Sequence, residues 1–300
     1  GESYARFLPE HLKPFIDAFL SGLRDHGYED GTSIVIEWRY SEGRDERFND
    51  MAAEFARLPV DVMVASNVVA IRAAARATNT IPIVMLLGSD PVETGLIQSL
   101  ARPGANVTGM AVLTAVTAAK RLELLKETVP GISRVAILAY VREGDPSGPL
   151  QLRAAEDAAR ALRVEAVPLE VRDPAELPRA LEAATARGAD ALLLTAAPSQ
   201  LVRLRKEIVA YATGRRIPSA YGVVGDFVGE GGLIGYSESG IESFRRAASF
   251  VDRILNGAKP ADLPVEQPTK FDLVINLKTA KELGLVIPQS ILSRATRVIQ

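Results

Sequence analysis

Short runs of β-branched and aliphatic residues alternate along almost the whole chain with stretches in which apolar residues recur every three or four positions. The first pattern is that of buried strands and the second that of amphipathic helices, so their alternation predicts βα units and a parallel sheet. Phe15, Ile16, Phe19, Leu20 and Leu23 mark an opening helix, with Pro14 tolerated in its first turn and Gly27 as its stop. Ile34 to Trp38 reads as a strand, Asp45 to Leu58 as a helix and Val62 to Ala65 as a buried strand. Asn67 to Ala77, Pro82 to Leu86, Pro91 to Ala101 and Val107 to Met110 continue as helix, strand, helix and strand.

After Met110 the rhythm starts again. A helix from about Val116 to Val129, a strand Val135 to Ala139, a helix Pro149 to Leu162 and a strand Val164 to Leu169 open a second, similar half. Pro174 to Arg187, Ala191 to Thr195, Ser199 to Ala212 and Pro218 to Tyr221 extend it as helix, strand, helix and strand, and Gly231 to Tyr236 adds one more strand. The helix Ile241 to Leu255 and a proline-punctuated tail, Lys259 to Thr269, follow both halves and have to return to one or both of them. A doubly wound lobe begins with a strand, whereas this sequence begins in what reads as the loop after one. A strand's worth of residues, roughly 5 to 8, is therefore expected before Gly1, or else that strand is supplied some other way.

Composition narrows the chemistry. The 300 residues are 47% hydrophobic and 24% charged, enough for a full core and more in keeping with two domains than one. Thirty-five basic against 37 acidic residues give a net charge of −2 with no long block of one sign, so nucleic acid and anionic membranes are not expected partners. The absence of cysteine removes thiol nucleophiles, disulfides and Cys-based zinc sites. The two histidines, His11 and His26, both belong to the opening helical stretch and cannot build a Ser-His-Asp triad or a multi-histidine metal site. No apolar run approaches the roughly 20 residues of a membrane-spanning helix. No basic segment followed by an apolar one opens the sequence, so any export signal is expected to have been removed.

In open α/β sheets, ligands collect at the carboxyl ends of the strands, where helix N-termini offer unpaired N–H groups. The loop after Val62–Ala65 holds Ser66 and Asn67, which can meet a carboxylate or simply cap the next helix. Gly88-Ser89-Asp90-Pro91 forms a second such loop, in which Ser89 can donate to a ligand and Asp90 can either cap or pair with an amine. Tyr140 and Tyr221 each end a strand, where a ring can wall a pocket or pack half-buried. Enzyme motifs are scarce: GEGGLIGYS, residues 229 to 237, fits neither the dinucleotide fingerprint nor the P-loop, and Ser237 is not in a nucleophile elbow. Arg121, Glu123, Lys126 and Glu127 read as one solvated helix face. No acid/base pair, metal set or cofactor is indicated, and no enzymatic activity is expected.

Four segments carry a family resemblance: IPIVMLLGSDPVETGLIQSLARPGANVTGM (81–110), AKRLELLKETVPGISRVAIL (119–138), GGLIGYS (231–237) and PADLPVEQPTKFDLVINLKTAKELGL (260–285). Together they resemble the ABC transporter substrate-binding proteins related to the tryptophan and aromatic amino acid binders. The resemblance implies an α/β, type 1 periplasmic-binding fold: two doubly wound parallel-sheet lobes joined by three crossovers, near Met110 to Thr114, Gly235 to Ser239 and Pro264 to Lys270. Lobe I would comprise 1–112 plus 237–265, and lobe II 113–236 plus 266–300. Because such proteins also bind through the loop after their first strand, Ser3 and Tyr4 join Ser66, Asn67, Ser89, Thr114, Tyr140, Tyr221 and Tyr236 as candidates. Val223 to Phe227 departs from the bulkier, charged segment of relatives, and Asp226 there is a candidate amine partner or a surface residue.

The implied function is a solute-binding receptor of an ABC importer. It would hold a small amino acid or an aromatic or aliphatic carboxylate between the lobes by hinge closure, without chemical change or cofactor. Its partners would be that ligand and the transporter's membrane subunits, its state a monomer and its compartment the periplasm or another extracytoplasmic space. A regulator's ligand-sensing core, which would need a helix-turn-helix segment, and a carboxylate-dependent α/β enzyme, which would need turnover and a cofactor fingerprint, are the alternatives.

Overall fold

A computed structural model describes residues 12–196, 199–222 and 226–300. In chain order it begins with α1 (Lys13–Asp25), α2 (Arg47–Phe55), β1 (Met63–Ala65), α3 (Val68–Ala77), β2 (Ile83–Ser89) and β3 (Val107–Val112). There follow α4 (Thr114–Thr128), β4 (Arg134–Tyr140), α5 (Ser147–Ala161), β5 (Glu165–Val171), α6 (Leu177–Ala186) and β6 (Ala191–Leu194). Then come α7 (Ser199–Arg203), α8 (Arg205–Gly214), β7 (Ser219–Tyr221), α9 (Asp226–Gly229) and β8 (Ile234–Glu238). The chain ends with α10 (Gly240–Leu255), β9 (Phe271–Asn276), α11 (Leu277–Leu283), α12 (Gln289–Leu292) and β10 (Arg297–Ile299).

The chain divides into two units, residues 1–112 with 239–270 and residues 113–238 with 271–300. In the first, β1, β2 and β3 form a parallel sheet in that order. In β2, Val84 and Leu86 face a cluster with Phe19, Leu23 and Phe250, while Ile83 and Met85 face another with Met63, Ile71 and Val107. Both faces of the strand are thus buried, as a parallel sheet covered by helices on each side requires. In the second unit the order is β10-β9-β8-β7-β6-β4-β5. All neighbours are parallel except β8 and β9. Its β4 repeats the device, with Val135, Ile137 and Ala139 packed into one core and Ala136 and Leu138 into the other. Two doubly wound α/β units joined by three passages of the chain are the predicted fold class.

Three local expectations are corrected. Ile34–Trp38 forms no strand: among the described residues it has only a bridge from Ile34 to Asp30 in place of a ladder; Ile34 and Ile36 supply the alternation by packing on the α1 side of the core. Pro91–Ala101 is a compact loop and not a helix, because Gly95 turns at φ +71° and the Leu96 and Ile97 N–H groups both fold back onto the Pro91 carbonyl. The helix expected over 199–212 is broken at Leu204 into α7 and α8. After Thr269, where no element is predicted, β9 adds an antiparallel strand to the second sheet.

Two passages between the units fall at the expected crossovers, after Glu238 and after Lys270, a few residues past the lobe bounds of 236 and 265. Ser237 and Glu238 stay in the second unit as the last β8 partners of β9. Residues 266–270 stay in the first: Glu266 forms a parallel bridge with Met110, giving its carbonyl to Ala111 N (2.8 Å) and its N–H to Gly109 O (3.0 Å). Arg246 on α10 holds the Glu266 carboxylate with bonds of 2.7 and 3.0 Å, and that pairing keeps the carboxyl below the usual range. The tail therefore returns to β3, fixed by both backbone and charge.

One backbone position carries the β2–β3 pairing. Its register shifts between Met85 and Gly88, and opposite the shift Gly109 sits at φ +125°. A Cβ there would lie 2.6 Å from the Met85 N, and backbone cannot step aside as a flexible side chain can. Gly109→Ala is expected to destabilise the chain by about 3 kcal/mol, seen as a lower urea midpoint at unchanged slope; an unchanged midpoint would contradict this reading of the bulge.

Candidate functional site

In the first unit the three parallel strands place Ala65, Ser89 and Val112 at one edge. Immediately after β1, Ser66 is exposed and Asn67 turns extended, φ −150° and ψ 167°, so that its side chain accepts from Ala70 N at 3.0 Å. Asn67 is thus engaged as the cap of α3, and Ser66 is the residue of the pair that faces solvent. Ser89 is half-buried at the end of β2. Asp90, only 3% exposed, follows at φ +42° and gives its N–H to Val112 O at 2.8 Å. The loop behind it is tied down by Thr94, whose N–H donates to Asp90 O (2.8 Å) and whose carbonyl accepts from Arg72 on α3 (2.6 Å). A buried carboxylate on left-handed backbone costs stability that only the surroundings can offset, which is a mark of functional loops.

In the second unit, β5, β4, β6, β7 and β8 run together, so Tyr140, Thr195, Tyr221 and Tyr236 come to one edge. Tyr140 is half-buried at the end of β4. The loop beyond it is closed by Asp145, whose carboxylate takes Arg142 Nη2 (2.6 Å), Ser147 Oγ (2.6 Å) and Ser147 N (3.0 Å). Thr114, in the first turn of α4, accepts from Gln151 Nε2 of α5 at 3.1 Å, and both side chains are buried. The Gln151 Oε1 is buried as well and has no hydrogen-bond partner among the described residues. Tyr236 is half-buried and its ring stacks on Phe271, with centroids 5.6 Å apart. Burial raises its phenol above the ordinary range, and Glu238 adds to the effect.

Tyr221 is a correction. Instead of walling a pocket, its ring is fully buried, stacked on Phe227 at 4.9 Å between centroids and lying against Gly232, and burial drives its phenol strongly upward. The reason is positional: a residue on β7 whose side chain enters the helix-covered face becomes core, whatever its polar tip. Ser3 and Tyr4, and the side chain of Asp226 at the start of α9, lie outside the described residues.

Arg121 is the residue that sequence reasoning missed. Only 1% exposed, it lies on α4 with Thr117, Ala118, Leu122 and Leu125 on the buried face, whereas Glu123 and Glu127 face solvent. Its Nε donates to Tyr236 O at 2.8 Å, Nη1 to Thr195 O, and Nη2 to Thr117 Oγ1 at 3.3 Å. Desolvation lowers its pKa to about 10, with Glu238 working in the opposite direction. The signal was present in the spacing: Arg121 stands three and four residues from Ala118, Thr117 and Leu125, the interval of one helical face.

A family model described as ABC transporter substrate binding protein matches residues 10–299. A tyrosine-binding protein of Clostridioides difficile (strain R20291) is 27% identical over 271 residues, covering 89% of this chain and 75% of that one. Among solved structures, a conserved domain protein from Vibrio cholerae O1 biovar El Tor strain N16961 superposes with a TM-score of 0.87 at 25% identity, covering 96% of this chain and 95% of that chain. An ABC domain from Streptococcus pneumonia in complex with L-Trp superposes equally well, TM-score 0.87 at 24% identity, over 97% of this chain and 96% of the other. These likenesses agree with the type 1 periplasmic-binding fold that the two sheets describe. With nearly every residue of the chain inside the family match, this chain belongs to the ABC transporter substrate-binding protein family.

Proposed function

We propose that this chain is the solute receptor of an ABC importer, selecting a small amino acid or an aromatic or aliphatic carboxylate and passing it on chemically unchanged. The observation that carries the reading is the placement of polar groups in each unit. Ser66, Ser89 and Asp90 stand at or just after strand ends of the first unit, and in the second Tyr140 ends β4 while Thr114 and Gln151 lie on α4 and α5; carboxyl edges are where this architecture takes up ligands. The similarity to a protein that binds tyrosine supports the solute class. Hydroxyls and a strained carboxylate suit an amino acid's charged ends, and half-buried rings such as Tyr140 and Tyr236 suit an aromatic body.

On this reading the ligand acts by population shift, favouring the arrangement in which residues of both units touch it. The transporter's membrane subunits are the protein partner, the receptor works as a monomer outside the cytoplasm, and neither a cofactor nor nucleic acid takes part. Among the described residues no helix is long and apolar enough to cross a membrane.

A thermal-shift screen of tyrosine, tryptophan, phenylalanine, leucine and benzoate tests the solute class. A ligand held only by the native state adds about 2.7 kcal/mol at a hundred times its Kd, enough to raise the melting temperature by several degrees. A flat response across the panel would refute the proposed class. Within the first unit, Asn67→Ala is expected to cost about 1 kcal/mol of stability with unchanged affinity, because its side chain is spent on capping. Ser66→Ala is expected to leave stability alone and weaken binding about fivefold, the value of one neutral hydrogen bond. Calorimetry and denaturation on the two variants separate the roles, and the reverse pattern would displace Ser66 from the site.

A further inference from the structure

Cations this deeply buried are normally matched by a carboxylate, and Arg121 is not. Among the described residues no carboxylate lies within ion-pair distance of it; its hydrogen bonds go to two carbonyls and a hydroxyl. The opposing influences, Glu238 and then Tyr236, act through space and not through an ion pair. A positive charge with no direct ion pair is a standing cost in the interior, and a core of aliphatic neighbours such as Leu122 and Leu125 would accept methionine there more cheaply.

Its location suggests what the charge is for. The guanidinium lies beneath the carboxyl ends of three adjacent strands: it bonds Thr195 O just after β6 and Tyr236 O within β8. After β7, a Cβ on Gly222 would stand 2.9 Å from its Cζ. The chain can make that approach only with glycine at position 222. The planar trans peptide that offers the Thr195 carbonyl to Arg121 carries the Ala196 N–H on its opposite side, so the cation polarises that donor. A low-dielectric interior carries the field of such a charge further than bulk water would.

We propose that Arg121 is a positioning residue that makes the second unit's edge selective for solutes bearing a carboxylate, acting through the strand-end peptides and its field without touching the solute. This deepens the receptor reading and rests on it. A side chain that merely filled space and tied strands together would, when removed, weaken charged and uncharged solutes alike; a field discriminates between them.

The test measures affinity by calorimetry for two matched pairs, L-tyrosine with L-tyrosinamide and benzoate with benzamide, in the unaltered chain and in Arg121→Met, Arg121→Gln and Arg121→Lys. The unaltered chain is expected to prefer the carboxylate of each pair. The two neutral variants are expected to lose about tenfold of that preference while binding the amides much as before, and Arg121→Lys to keep it. Arg121→Gln, which can still donate to a strand-end carbonyl, serves where the methionine variant does not fold. A preference that survives in a folded neutral variant, or vanishes in a folded lysine variant, overturns the proposal. Equal binding of acid and amide by the unaltered chain overturns it alone; where neither pair binds, the comparison is made with the panel member that does bind and its amide, and a chain that binds no member overturns the solute class and the proposal together.

Discussion

Burial of both faces of a parallel strand leaves a polar side chain nowhere to go within the sheet, and this constraint shapes both units. Along β4 every residue from Val135 to Ala139 is fully buried, odd positions in one core and even positions in the other. Hydrogen-bonding chemistry is therefore displaced to the ends of the strands, where ladders stop and peptide groups lack partners. The loops there are not left slack. Asn67 closes the one after β1, Thr94 and Arg72 the one after β2, and Asp145 the one after β4, each by donating to or accepting from backbone. The groups that remain for a solute are held on edges already rigid, which limits the ordering entropy that binding has to offset.

The periodic elements were legible because local pattern and tertiary environment agree in them. In α1, Phe19 and Leu23 lie on the spaced apolar stripe and are buried, and in β4 a continuous apolar run is a two-faced strand. Legibility failed where periodicity had more than one physical origin. The alternation of Ile34 and Ile36 comes from packing on the core without sheet pairing, and Pro91 to Ala101 has helical composition but is overruled by the left-handed turn at Gly95 and the folding back of its N–H groups. The placement of β9 in the second sheet depends on residues distant in sequence, so no local window could reveal its antiparallel pairing with β8.

The candidate site was partly legible for the same reason. The strand-end rule located Ser66, Ser89, Asp90 and Tyr140, since it depends only on knowing where strands stop. It could not decide which way a terminal side chain turns: Tyr140 remains half-buried while Tyr221, also the last residue of its strand, is core. Arg121 was hidden by its neighbours. Glu123 and Glu127 form an ordinary exposed face, with Lys120 paired to Glu123 and Arg294 to Glu127. An arginine among them invites the same interpretation unless each position is assigned to its own side of the helix.

Glycine 222 joins these strands of reasoning. A glycine after a buried strand is usually read as a turn, yet this one is required by what lies beneath it: the Thr195 carbonyl and the Arg121 guanidinium occupy the space that any side chain would need. A small residue on β7's edge, a cation on α4 and a carbonyl at the end of β6 thus form one packed unit drawn from three separated parts of the sequence. Its cost is the desolvation of a charge, and its return is to fix three strand ends in one geometry while orienting their peptides. Hydrophobic packing can hold a strand in its sheet, as Val84 and Leu86 do for β2 in the first unit. What packing cannot supply is a sign, and a charge retained at that cost beneath a row of strand-end loops supplies one.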